Sequence, residues 1–286
     1  MTKSRTKLTL GGAAARPIQE KPPAPEPLAV PILDSHTHLD LQGTDIAEAL
    51  DAAAAVGVER IVQVGIDVPS SRWGAEVAAE HDRVLATVAL HPNEAPVLAD
   101  LDGQLAEIDA LAARPEVRGI GETGLDYYRT GDEGREQQER SFRAHIDIAK
   151  RHGKALVIHD RDAHDDVLRV LAEEGAPERV VFHCFSGGPE LAKACAEHGY
   201  VMSFAGTLTF KNAADLREAA KLAPRELLLV ETDGPFLTPM PYRGQPNAPY
   251  LTPLTIRALA EIRGDDLDEL CAAVWANGER VFALTS

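Results

Sequence analysis

The sequence is short of cations, cysteines, aromatics and long apolar runs, and each shortage excludes something. Lys and Arg total 29 against 45 Asp and Glu, a formal net charge of −16. A broad basic face that grips nucleic acid by its phosphates is therefore excluded, although a small local basic patch is not. Three cysteines, Cys184, Cys195 and Cys271, match no Cys-x-x-Cys or zinc-finger spacing. An odd number builds no disulfide framework, which points to a reducing compartment. No apolar run of signal-peptide length follows Lys3, Arg5, Lys7 and Arg16, and no window approaches membrane-spanning length, so the cytoplasm is the expected location. No internal repeat and no glycine-rich phosphate turn is found. What remains is a chain of 286 residues, 44% apolar and 5% aromatic, long enough for one large core rich in alanine.

Residues 1–28 are basic, then Gly-Gly-Ala-Ala-Ala, then rich in proline, a composition that buries too little apolar surface to offset ordering. They read as a flexible arm, with residues 29–286 as one domain. Short β-rich runs at 31–35, 60–65, 84–90, 117–121, 155–158, 180–182, 200–204 and 227–230 make eight candidate strands. Between them, stretches at 46–56, 72–80, 101–113, 133–151, 163–174, 190–198 and 215–222 carry apolar spacing near three and four, as helices do. Gly57, Gly153, Gly175 and Gly199 punctuate junctions. Eight β-then-α units predict a single closed parallel α/β barrel, (β/α)8, with an outer ring of helices. An open doubly wound sheet is the runner-up and would more typically carry the missing phosphate turn. A last helix at 266–283 closes the outer layer or caps the base.

In such a barrel the active site gathers at the C-terminal ends of the strands. The first run ends in Asp34-Ser35-His36-Thr37-His38, whose two imidazoles lie on one side of an extended segment and can meet one ion. On its own that pair reads more simply as strand-end histidines in solvent. The other strand ends change this reading: Glu122 follows the fourth run, His159 the fifth, His183 the sixth, and Glu231-Thr232-Asp233 the eighth. The ligands exceed what one tetrahedral zinc needs, and a carboxylate can bridge two ions. Two divalent ions are expected, with His36, His38 and Asp233 on the first, Glu122 between, and His159 and His183 on the second. Their identity stays open among magnesium, manganese, zinc and nickel, because His and carboxylate sites accept each according to availability. His81, His145, His152, His164 and His198 fall at surface or helix positions without a ligand pair.

Asp34-Ser35-His36-Thr37-His38-Leu39-Asp40, Gly121-Glu122-Thr123-Gly124-Leu125-Asp126-Tyr127, His183-Cys184-Phe185-Ser186-Gly187, Thr209-Phe210-Lys211-Asn212 and Glu231-Thr232-Asp233-Gly234-Pro235-Phe236-Leu237 together resemble the motifs of the TatD family of metal-dependent deoxyribonucleases. They stand in the family's order and cover nearly everything after residue 30. The resemblance implies a TIM barrel of the amidohydrolase-like group, metal-dependent hydrolysis of DNA phosphodiesters, and His36, His38, Glu122, His159, His183 and Asp233 as ligands. It also places His91 near the substrate, although Asn93 stands where the family often has a second histidine. Arg161, Lys211 and Arg243 are candidate substrate contacts that, with His91, form a local positive groove. Arg161 equally suits an acidic neighbour. Tyr127 and Phe236 are candidates for base stacking or for packing beneath the rim. Cys184 is expected to face away, and Ser186 lacks an adjacent base.

The expected reaction is hydrolysis of DNA, at single-stranded ends, by a metal-activated water, with Glu122 between the ions and Asp233 orienting the water or accepting its proton. DNA is then a transient partner, with no membrane and no obligatory protein partner. The same site on an ester or amide, aminoacyl-tRNA included, is the alternative, because fold and metal do not choose between carbonyl and phosphorus. A non-catalytic metal-bound interaction protein is a third reading, disfavoured because no expected ligand is missing.

Overall fold

The structure, a computed structural model, describes residues 21–284. Its strands are β1 (Ile32–Thr37), β2 (Val58–Val64), β3 (Val84–Val88), β4 (Val117–Asp126), β5 (Ala155–Arg161), β6 (Val180–Phe182), β7 (Val201–Phe204) and β8 (Leu228–Val230). They form one 8-stranded sheet in chain order, every neighbouring pair parallel. Helices α1 (Ile46–Ala54), α2 (Val68–Glu80), α3 (Leu101–Ala112), α4 (Asp132–His152), α5 (His164–Glu174), α6 (Pro189–His198), α7 (Ala214–Leu222), α8 (Thr252–Arg263) and α9 (Leu267–Val281) surround it. This is the expected TIM barrel.

The strands are nearly unbroken apolar runs because both of their faces are covered, as in Ala155–Ile158, where every residue is buried. The helices turn an apolar stripe inward: Phe142, Ile146 and Ala149 of α4 are fully buried, and Leu270 and Val274 of α9 likewise. Each such Leu, Ile or Phe contributes about 1.5–3 kcal/mol relative to exposure. Helix starts and stops follow local chemistry. Ser70 and Asp67 form a reciprocal cap at the head of α2, and Gly153 ends α4 at φ 59°, a left-handed conformation that glycine adopts without strain.

The barrel is sealed at the β1–β8 seam mainly by the residues that follow β8. Gly234 bridges Thr37 in parallel fashion, His38 N–H donates to the Gly234 carbonyl at 2.8 Å, and Asp233 N–H donates to the His36 carbonyl at 2.9 Å. Below them the Asp34 carboxyl accepts from the Thr232 N–H at 2.9 Å and from its hydroxyl at 2.5 Å. Helix α9 packs across β1 and β8 from outside, which is the closing role expected of the last helix.

Three expectations change. Strands β4 and β5 run on to Asp126 and Arg161, so Glu122 and His159 stand within strands rather than after them. The glycines beside Glu122 let the strands approach: a Cβ on Gly121 would lie 2.6 Å from the Val157 carbonyl oxygen. Helix α8 was not expected, because it begins at Thr252-Pro253 beyond a proline-studded loop and continues that loop's appearance. The flexible-arm expectation fails for residues 21–28, which lie along the barrel. Tyr250 hydroxyl donates to the Pro22 carbonyl at 2.7 Å, Arg257 to the Pro27 carbonyl at 3.2 Å, and Leu28 N–H to Val56 at 3.1 Å. Prolines lose little backbone freedom on docking, so a few such bonds suffice. The rest of the expected arm, residues 1–20, lies outside the described residues. Among the described residues no helix is long and apolar enough to cross a membrane.

Candidate metal centre

All six expected ligands converge on the C-terminal rim. His38 Nε2 lies 3.5 Å from both Glu122 Oε1 and Asp233 Oδ1. His36 Nε2 lies 3.8 Å and 3.9 Å from the same two oxygens. On the other Glu122 oxygen, His183 Nε2 approaches to 2.9 Å and His159 Nδ1 to 3.2 Å. Glu122 is thus the centre, facing one pair of imidazoles with each oxygen. Asp233 is held at φ 52°, a conformation rare for a non-glycine residue and one that marks functional positions.

The rim offers three overlapping triads whose ligand atoms lie within 4.8 Å of one another: His36, His38 and Asp233; His36, Glu122 and His183; His91, Glu122 and His159. The first is the expected set for one ion. The third brings in His91, whose Nε2 lies 3.7 Å from Glu122 Oε2. His91 therefore belongs to the carboxylate cluster itself, closer in than a substrate contact needs to be.

Partners behind the cluster set the rings. His38 Nδ1 faces the Val64 carbonyl at 3.2 Å, so its proton belongs there and Nε2 keeps its lone pair toward the centre. His183 Nδ1 faces Glu231 at 3.2 Å, and the same Glu231 oxygen accepts the Cys184 N–H at 2.9 Å. His159 Nε2 lies 3.2 Å from Asp126, which also accepts from Asn93 at 2.9 Å. Burial opposes ionisation of Glu122, but His91 and His183 beside it hold its carboxyl well below the usual range. Burial likewise opposes the His183 cation, and Glu122 and Glu231 push that imidazole well above its ordinary value. For His36, burial and the neighbouring His183 together lower the imidazole.

His36 supplies the test of whether a cation fits. Both of its ring nitrogens are buried without a hydrogen-bond partner, an arrangement that costs about 1–3 kcal/mol when nothing satisfies the group. A neutral imidazole presents one lone pair, and a divalent cation facing the two carboxylates would take it. The donors are imidazole nitrogens and carboxylate oxygens, the set borderline divalent metals accept. The residues fit the group.

A family model described as TatD related DNase matches residues 33–283. The chain belongs to this family. It is 45% identical over 261 residues to the uncharacterized metal-dependent hydrolase TatD of Mycobacterium tuberculosis, spanning 88% of this chain and 98% of that protein. It is 38% identical over 257 residues to the uncharacterized metal-dependent hydrolase YabD of Bacillus subtilis, spanning 88% and 99%. Among solved structures, the TatD homolog YjjV of Escherichia coli K12 superposes with a TM-score of 0.83 at 27% identity, covering 89% of this chain and 98% of that one. The protein is a metal-dependent hydrolase of the TatD family, and the triads above are where a TatD protein of this sequence can hold metal.

Around the TatD centre the remaining expectations separate. Arg161 makes no ion pair among the described residues; its guanidinium lies over the Tyr128 ring at 3.8 Å. Arg243 lies over Phe210 at 4.2 Å, and Lys211 is exposed. Phe236 is 51% exposed and meets His38 edge-on at 6.3 Å. Tyr127 is not free to stack, because its hydroxyl donates to Asp166 at 2.8 Å beneath Arg135. Cys184, expected to face away, lies at φ 40°, and burial with the fields of Asp233, Glu231 and Glu122 raises its thiol. Of the helical histidines, His152 pairs with Asp109 and His164 with Asp160, each at 2.7 Å. His145 stands on α4, one of the two expected kinds of position, but is fully buried there and accepts the Leu90 N–H on Nε2 at 3.0 Å. Asp126 and Glu231 are not among the expected site residues, although both stand in the segments 121–127 and 231–237 that carry the family resemblance. Their signal was an extra acid beside a ligand at a strand end.

Proposed function

We propose that this TatD protein hydrolyses phosphodiester bonds of DNA, at single-stranded ends. The observation that carries the reading is where its unpaired cations lie. Among the described residues, the cationic side chains making no hydrogen bond or ion pair are Arg60, Arg129, Arg161, Lys211 and Arg243. Arg161 ends β5, and Arg129, Lys211 and Arg243 follow β4, β7 and β8, on the rim that carries the ligands. An acidic surface that pairs most of its cations but leaves these free suits a substrate bearing several negative charges. A small uncharged ester or amide needs none of them, and a few phosphate contacts suffice for a short single strand.

His36, His38, Glu122, His159, His183 and Asp233, with His91 beside them, would hold the cations. Bound divalent cations stabilise charge on phosphoryl oxygens and lower the pKa of water. Asp233, whose carboxylate is the more exposed of the two acids at the centre, orients the attacking water and accepts its proton. The water oxygen bonds to phosphorus, the ester P–O bond breaks, and the proton passes to the leaving oxygen. Arg161 and Arg243 neutralise flanking phosphates.

Purified protein with Mn²⁺ or Mg²⁺ is expected to shorten single-stranded DNA from an end, and chelation or Glu122→Ala to abolish this. Hydrolysis of esters, amides or aminoacyl-tRNA in the same panel with DNA left intact overturns the reading.

A further inference from the structure

Beside the centre lies a cavity of about 510 Å³ lined by Phe210, Phe236, Thr238, Arg243 and Gln245 among others. We propose that it is a nucleobase subsite, which takes the base of a nucleotide whose phosphate lies at the carboxylate cluster. The inference rests on the phosphodiester reading and adds to it what the enzyme grips besides phosphate.

The lining is that of a stacking site. Two phenylalanine rings share the cavity, and the Arg243 guanidinium lies over Phe210 at 4.2 Å. A guanidinium so placed extends the flat surface while its N–H groups stay free. The Gln245 side-chain amide makes no hydrogen bond among the described residues, so both its donor and its acceptor are available to a base edge. A single exposed phenylalanine is ordinary on a protein surface. Here an exposed ring, an unpaired guanidinium and an unused amide border one cavity of the size that small ligands occupy.

The cavity is also tied to the chemistry by its backbone. Phe236 N–H donates to the Asp233 carbonyl at 2.9 Å, so the stacking ring and the carboxylate share one turn. The buried Asn247 amide donates to the Thr232 carbonyl at 2.8 Å and to that of Phe236 at 2.6 Å, pinning the turn on both sides. Thr238 hydroxyl closes onto the Gln245 carbonyl at 2.5 Å, and Met240 N–H onto Thr209 at 2.8 Å. A wall fixed before binding spends little affinity on ordering. Next to the turn, the His38 ring meets Phe236 at 6.3 Å, so a base on Phe236 is within reach of a phosphate of the same nucleotide at the cluster.

The test compares a short single-stranded oligonucleotide with an otherwise identical strand whose sugars carry no bases, in wild type, Phe236→Ala and Arg243→Ala. Stacking of one base on an aromatic ring predicts that Phe236→Ala lowers the ratio of kcat/KM on the two strands by about ten-fold. A second readout needs no turnover: in chelator, strands carrying 2-aminopurine at each position in turn report stacking as fluorescence quenching. Wild type is expected to quench one position, and Phe236→Ala to lose most of that quenching. If wild type cleaves the base-bearing strand while the variants leave both the ratio and the quenching unchanged, the subsite is wrong and the phosphodiester reading stands. If wild type cleaves and binds neither strand, the phosphodiester reading fails and the subsite fails with it.

Discussion

Asp233 and His36 meet twice: the Asp233 N–H donates to the His36 carbonyl at 2.9 Å, and its carboxylate comes within 3.9 Å of His36 Nε2. One contact closes the barrel and the other builds the metal centre. The position of Asp233 against the histidines is therefore set by the same hydrogen bonds that tie the turn after β8 to β1, and that turn is held on the barrel rather than left free.

Cation binding is expected to stabilise the fold as well as enable turnover. A cation present at a hundred times its dissociation constant raises stability by about 2.7 kcal/mol. Differential scanning fluorimetry of wild type with and without Mn²⁺ is expected to show a rise in Tm. In Glu122→Ala, where both halves of the cluster lose their shared carboxylate, the rise is lost. An undiminished rise in that variant removes Glu122 from the centre.

Asp126 holds His159 by its Nε2 at 3.2 Å while His159 Nδ1 turns toward Glu122. Replacing Asp126 with Ala frees that ring. Outer carboxylates of this kind change metal affinity or activity by about 10–100-fold. Titration calorimetry with Mn²⁺ is expected to show weaker binding in Asp126→Ala with the fold intact by circular dichroism. Unchanged affinity refutes the orienting role.

Asn247 is buried and donates two hydrogen bonds to the turn between Asp233 and the cavity wall. Asn247→Ala leaves two carbonyls without their donor, at about 1–3 kcal/mol. Urea unfolding is expected to show that loss at an unchanged m-value, together with a raised KM.

His145 makes stability depend on pH. Burial lowers its imidazole from 6.5 to about 4, opposed in part by its bond to the Ser141 carbonyl. The folded chain therefore binds fewer protons here than the unfolded chain. The contribution is complete above about pH 6.5 and is lost as pH falls toward 4, a change on the order of 3 kcal/mol. His145→Ala forfeits the acceptor for Leu90 N–H and leaves a cavity, costing roughly 2–4 kcal/mol at neutral pH. Its unfolding free energy is expected to vary less between pH 7 and 4.5 than that of wild type. An identical slope assigns the acid sensitivity elsewhere.

The barrel was legible because strands covered on both faces show as unbroken apolar runs between helical periods, and the ligands were legible because chemistry in this architecture stands at strand ends. What escaped depends on who faces whom across long sequence distances. Asp126 and Glu231 look like surface acids until His159 and His183 are placed beside them. Asn247 looks like a loop residue until its amide meets Thr232 and Phe236. His145 carried a readable signal, because it lies between Phe142, Ile146 and Ala149 on the apolar stripe of α4. Helix α8 was hidden by the prolines that lead into it.

The seam between β1 and the turn after β8 has a consequence for biosynthesis. Its hydrogen bonds join residues about two hundred positions apart, Asp34 with Thr232 at a separation of 198. A ribosome-bound chain that has delivered His36 and His38 but not yet β8 and Asp233 has neither the closing strand nor the carboxylate opposite the histidines. The carboxylate joins the histidines only after about two hundred further residues have been made, so a chain stopped before Asp233 carries the histidines without the means to use them.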